Sequence, residues 1–111
     1  MEVKATARYI RKSPRKLRPM ADAIRGRKVE DALNILKFLP SPSASTVAKV
    51  VKAAADNAEN NFEMTPSDLR IVKIFIDGGR TMKRFRAGPR GRAKPILKRS
   101  SHITVVVKEE E

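Results

Sequence analysis

In the first segment, VKATARYIR, the small or apolar residues Val3, Ala5, Ala7 and Tyr9 alternate with Lys4, Thr6 and Arg8. A period of two puts the first set on the inner side of a strand and leaves a basic face outside. Ser13 and Pro14 then carry a helix start, with Ser as N-cap and Pro at the first helical position. Leu17, Met20, Ala21 and Ile24 recur at helical spacing, and Gly26 suits a stop. Pro19 falls inside this helix, where it removes a backbone hydrogen bond and is expected to kink it. A short helix is expected from Val29 to Leu39, with Leu33, Leu36 and either Leu39 or Ala32 inward. Ser41-Pro42 repeats the start signal, and the clearest stripe follows it. Ala44, Ala48, Val51, Ala55, Ala58 and Phe62 are spaced alternately by four and three, with Val47 and Ala54 broadening the stripe. Its small residues would let another element approach closely, and Asn60-Asn61 is its expected end.

Leu69 to Asp77 reads as a strand rich in Ile and Val, loosened at its end by Gly78-Gly79. Ile103, Val105 and Val107 alternate in the last strand. Between them lies MKRFRAGPRGRAKPILKR, residues 82–99, with eight Lys or Arg and no acid. Each arm of such a hairpin would reach roughly 30 Å at about 3.3 Å per residue. Gly88-Pro89 and Gly91 supply turn chemistry and place the tip at about residues 87–92. A two-stranded ribbon alone in water is marginal, so an anionic environment is expected to order it. The element order predicts an α+β fold, a three-stranded antiparallel sheet packed on three helices with a long basic β-hairpin extension. A single domain over residues 1–111 is expected, with a compact body of 1–79 and 100–108 and a hairpin of 80–99.

Charge sharpens this picture. The net charge is +13, distributed as +8 over residues 1–28, −2 over 29–79, +10 over 80–108 and −3 at the end. Two strongly cationic blocks flanking a nearly neutral middle point to an anionic partner, of which nucleic acid is the usual one. The absence of Cys excludes disulfides, thiol nucleophiles and Cys-ligated metals, and fits a reducing compartment. No secretory signal or membrane span is expected from the apolar runs.

Candidate binding residues fall in three groups. Arg11, Lys12, Arg15, Lys16 and Arg18 gather where the first strand meets its helix, whose N-terminal N–H groups can add to a phosphate site. Arg25, Arg27 and Lys28 extend that patch, and Lys4 and Arg8 line the outer face of the strand. In the excursion, Lys83, Arg84, Arg86, Lys94, Lys98 and Arg99 are placed to meet phosphates, and His102 beside it is structural or phosphate-contacting. Arg outnumbers Lys towards the tip, where Arg84, Arg86, Arg90 and Arg92 can fork onto phosphates and stack on bases. No Gly-rich phosphate loop follows a strand and no metal-ligand spacing appears, so neither a cofactor nor a metal is expected. Glu30 and Asp31 are adjacent on a helix, about 100° apart, and cannot face each other as an acid/base pair. An enzyme has little to stand on. The rival class is a DNA-architectural protein with a basic β-ribbon arm. A membrane-active protein would need a basic amphipathic helix, and the best helix here, 42–61, is nearly neutral.

ARYIRKSPRKLR, IRGRKVEDALNIL, KVVKAAADNAENN and MKRFRAGPRGRAKPILKRSSHITVVV together resemble the bacterial family of large-subunit ribosomal protein number twenty-two, in order over nearly the whole chain. The resemblance implies a cytoplasmic, ribosome-bound α+β protein that binds large-subunit rRNA, meets neighbouring ribosomal proteins and acts early in assembly. It also implies that the hairpin threads through rRNA, with its tip in the wall of the nascent-peptide exit tunnel. Carried over by motif, Gly91, Arg92 and Ala93 would lie at or near that wall with Arg90 beside them, where they could meet a nascent peptide. Met82, Lys83 and Arg84 match the arm leading to it, and by the same resemblance Ser13, Arg15 and Lys16 would belong to the rRNA-facing start of the first helix. This chain reads Ala87-Gly88-Pro89 where the family usually has a Pro-Arg-Ala step, and has Pro19 where the family keeps an apolar residue. Neither DNA nor membrane partners are implied.

Overall fold

The computed structural model describes residues 2–88, Gly91 and 93–109, except for the side chains of 82–87 and 93–97. Strand β1 (Glu2–Ile10) leads into helix α1 (Pro14–Ile24), followed by α2 (Val29–Phe38) and α3 (Pro42–Phe62). A 3-10 turn at Pro66–Asp68 opens β2 (Leu69–Gly78), and β3 (Met82–Ala87), β4 (Ala93–Lys98) and β5 (Ser101–Glu109) complete the chain. Strands β1, β5 and β2 form an antiparallel sheet in that order, with β5 central, while β3 and β4 pair as a separate ribbon. The α+β class with three helices on a three-stranded sheet is therefore what the chain adopts.

One face of the sheet carries Val3, Ile103, Val105, Val107, Leu69, Ile71, Ile74 and Ile76, all buried. Helix α3 lies over β1 and β5, α1 lies over β2, and α2 packs on both helices. Leu17, Ala21 and Ile24 of α1 and Val29, Ala32 and Leu36 of α2 face inward, leaving Leu33 and Leu39 partly covered. The buried line of α3 runs through Ala44, Val47, Val51, Ala54 and Ala58, with Ala48 and Ala55 at its margin. Phe62 departs from the expected stripe and is 47% exposed. The N–H groups of Glu63 and Met64 turn back to the Ala58 carbonyl through a left-handed Glu63 (φ 52°), and Met64 packs on the core instead. Helix α1 runs unbroken through Pro19.

Two bulges set the sheet. Val3, Ala5 and Ala7 face Val107, Val105 and Ile103, but the next pair is Ile10 with Ser101, so β1 holds one extra residue. Tyr9 absorbs it in the left-handed region at φ 56°. Tyr9 thus leaves the inner face expected from the alternation and stands 64% exposed. In β2 the register slips between Ile71 and Lys73, so Val72 is the extra residue. That slip lets Ile71 and Ile74, three apart, both reach the core.

The free edge of β2 is covered rather than bare, as an edge strand requires. The Gly26 N–H donates to the Ile71 carbonyl at 3.1 Å, and the Ile71 N–H donates to Arg27 at 2.9 Å. Further along, the guanidiniums of Arg25 and Arg18 donate to the carbonyls of Ile74 and Ile76 at 3.1 and 3.4 Å.

Candidate nucleic-acid interface

The hairpin leaves the body through residues 79–81 and returns through 99–100. Here the Gly79 N–H donates to the Ser100 carbonyl at 2.9 Å, and the Ser100 hydroxyl donates to the Arg80 carbonyl at 2.7 Å. Beyond this clasp the ribbon pairs from Met82 with Lys98 to Ala87 with Ala93. The paired arms of 6 residues each reach about 20 Å at about 3.3 Å per residue, shorter than the reach expected from sequence, and Gly91 sits at φ 73° in the turn. Arg90 and Arg92, both expected at the tip, lie outside the described residues. Lys83, Arg84, Arg86 and Lys94 are placed on β3 and β4 by their backbone.

At the root of the ribbon the structure forms a bowl of about 1210 Å³. Six cations among the described residues line it: Arg11 and Lys12 from the turn before α1, Lys16 from its first turn, and Arg80, Lys98 and Arg99 from the root of the ribbon. Among the described residues no carboxylate lines it. Ser13 and Ser41, the N-cap positions of α1 and α3, also line it, so the positive ends of two helices open on the same space. Ser41 caps its helix as expected, accepting from the Ser43 N–H at 3.2 Å. Ser13 holds the N-cap position but makes no side-chain capping bond.

Two polar contacts fix the bowl. Fully buried Ser101 donates its hydroxyl to the Lys12 carbonyl at 2.6 Å, tying the turn before α1 to the central strand. The Nδ1 of His102 accepts from the Tyr9 N–H at 3.1 Å, and the two rings meet edge to face with centroids 4.9 Å apart. His102 is thereby a support for the β1 bulge. Its ring also lies 3.2 Å from where a Cβ on Gly79 would stand.

The other expected residues are distributed away from the bowl. Lys4 and Arg8 lie exposed on β1, with Lys4 opposite Val106 on the outer face of the sheet. Arg15 is exposed on α1. Arg18 and Arg25 serve the β2 edge, Arg25 also pairing with Asp22 at 2.6 Å, and Arg27 donates to the Ala23 carbonyl at 3.2 Å. Lys28 bridges to Arg70 in the same edge cover. Sequence reasoning missed Tyr9, Ser41, Ser43, Arg80 and Ser100 as bowl residues. Only the second Ser-Pro start at 41–42, matching 13–14, could have pointed to two helix ends meeting.

Among the described residues no cluster of His, Asp and Glu could hold a metal ion, and no helix is long and apolar enough to cross a membrane. A basic bowl at the root of a cationic ribbon is the kind of surface that nucleic-acid-binding proteins present. The chain belongs to the family described as Ribosomal protein L22p/L17e, whose model matches residues 5–108. It is similar to the large ribosomal subunit protein uL22 of Clostridioides difficile strain 630, at 55% identity over 111 residues covering 100% of both chains. It is also similar to the protein of the same description from Dehalococcoides mccartyi strain CBDB1, at 54% identity over 107 residues, 96% of this chain and 98% of the relative.

Proposed function

We infer that this chain is a structural constituent of the large subunit of the cytoplasmic ribosome, held by large-subunit rRNA and neighbouring ribosomal proteins. The observation that carries the rRNA contact is the bowl, where six cations and no acid among the described residues line one space. Phosphates of folded RNA neutralise such a space, and helix N-termini add donors to it. Lys4 and Arg8 on the sheet, Arg15 on α1 and the ribbon cations would continue the contact. The ribbon crosses packed RNA, which accounts for both its length and its charge, and supports assembly by joining RNA segments. Its tip, Arg90 to Ala93, then lines the nascent-peptide exit tunnel, reached along the Met82–Arg84 arm. It meets the nascent peptide by position and shape and catalyses nothing. Neither DNA nor a membrane has a part in this reading.

The test is salt-titrated binding of the protein, and of a variant lacking residues 82–99, to large-subunit rRNA and to duplex DNA. Each phosphate neutralised on single strands contributes about −0.7 to the logarithmic salt slope. Preference for rRNA, with a visibly shallower slope in the deletion, is the expected result. Equal or tighter binding to duplex DNA would favour a DNA-architectural protein, and an unchanged slope would remove the hairpin from the interface.

A further inference from the structure

Tyr9 stands where a packed protein has little reason to put it. It is the chain's only tyrosine, held in a left-handed conformation that bulky residues rarely adopt, and most of its surface is exposed. An unfavourable backbone conformation persists when the surroundings over-determine it. Here His102 does so twice, through the hydrogen bond from the Tyr9 N–H and through the ring contact. The bulge, the histidine and the close approach of Gly79 together hold one aromatic ring at a fixed place.

That place is a ridge between two spaces. On one side lies the basic bowl. On the other, a groove of about 500 Å³ runs between β1 and α3, lined by Ala5, Ala7, Val50 and Ala53 and also by Arg11 and Lys49. A cationic space, a flat aromatic ring and a groove with four small or β-branched apolar residues among its lining, in that order, match a nucleotide's phosphate, its base and the room the base needs. Base stacking on aromatic side chains is how proteins hold unpaired RNA bases.

We propose that Tyr9 is a stacking platform for an unpaired RNA base whose phosphate lies in the bowl. The proposal rests on the RNA reading of the bowl and adds to it one residue and one ligand class. His102 is the positioning residue, acting through Tyr9.

Because the chain has one Tyr and no Trp, its intrinsic emission reports on Tyr9 alone. The full-length protein is titrated with a short single-stranded oligoadenylate and, separately, with inorganic polyphosphate, which offers the charge without a base. Expected is strong quenching of Tyr9 by the oligoadenylate and little by polyphosphate. Tyr9→Ala should weaken oligoadenylate binding about tenfold and polyphosphate binding several-fold less, while Tyr9→Phe keeps the oligoadenylate affinity. Equal quenching by both ligands, or unaltered oligoadenylate affinity in Tyr9→Ala, overturns the stacking role. Lys16→Glu separates this from failure of the RNA reading. It weakens both ligands if the bowl holds phosphate, and unchanged affinity for both overturns the bowl and the proposal together.

Discussion

Ser101 shows how one small polar side chain can govern a site it does not line. It is wholly buried, and its hydroxyl satisfies the Lys12 carbonyl at the turn before α1. Ser101→Ala leaves that carbonyl without its partner and is expected to cost about 1–3 kcal/mol, measurable as a lower midpoint in urea unfolding. The same substitution frees the turn that carries Arg11, Lys12 and Ser13, so RNA affinity should fall although no cation is removed. Nothing in the sequence marks Ser101 for this, since its partner lies 89 residues away and is a backbone atom. The clusters at 11–16 and 98–99 were legible because charge is visible one residue at a time. Their convergence with Arg80 and Tyr9 was not, because it depends on how the register places the ribbon root against two helix starts.

Among the elements, the helices were read most closely. Both Ser-Pro starts fall where expected, and the α3 stripe needed only a shift of its centre towards Val47 and Ala54. The strands were legible as strands, but neither bulge was. A period of two is a property of one strand, whereas a bulge is set by the mismatch between two. Tyr9 was therefore assigned to the wrong face. The loosened end of β2 holds a similar hidden distinction between adjacent glycines. A Cβ on Gly78 would meet nothing within 4 Å, whereas one on Gly79 would stand 2.5 Å from the Ser100 hydroxyl and 3.2 Å from the His102 ring. Ser100 can yield only by giving up its bond to the Arg80 carbonyl. Gly79→Ala is therefore expected to lower stability by about 1 kcal/mol or more and to disturb the Tyr9 ring, whereas Gly78→Ala should be nearly neutral. Thermal melts of the two variants, with their tyrosine emission spectra, decide the point.

At the scale of the whole molecule, the radius of gyration is 17.0 Å and the principal extents are 64 × 26 × 17 Å. A compact chain of this length would have a radius of about 13 Å, so the ribbon dominates the shape. Small-angle scattering of the free protein should give a value near 17 Å. A value near the compact figure would mean that the ribbon folds back on the body. The +13 charge argues against that, since the body's bowl and the ribbon repel one another until RNA lies between them. The connection of the ribbon to the body has a mechanical side. Its two arms run into β2 and β5, which are neighbours in the sheet, so a pull on the tip drags both strands the same way. The ladder between them is not sheared. Resistance falls instead on the β1–β5 ladder and the helix layer, where many hydrogen bonds and interlocked side chains share the load at once. A protein anchored in this way can bear tension at its far end without unzipping from it.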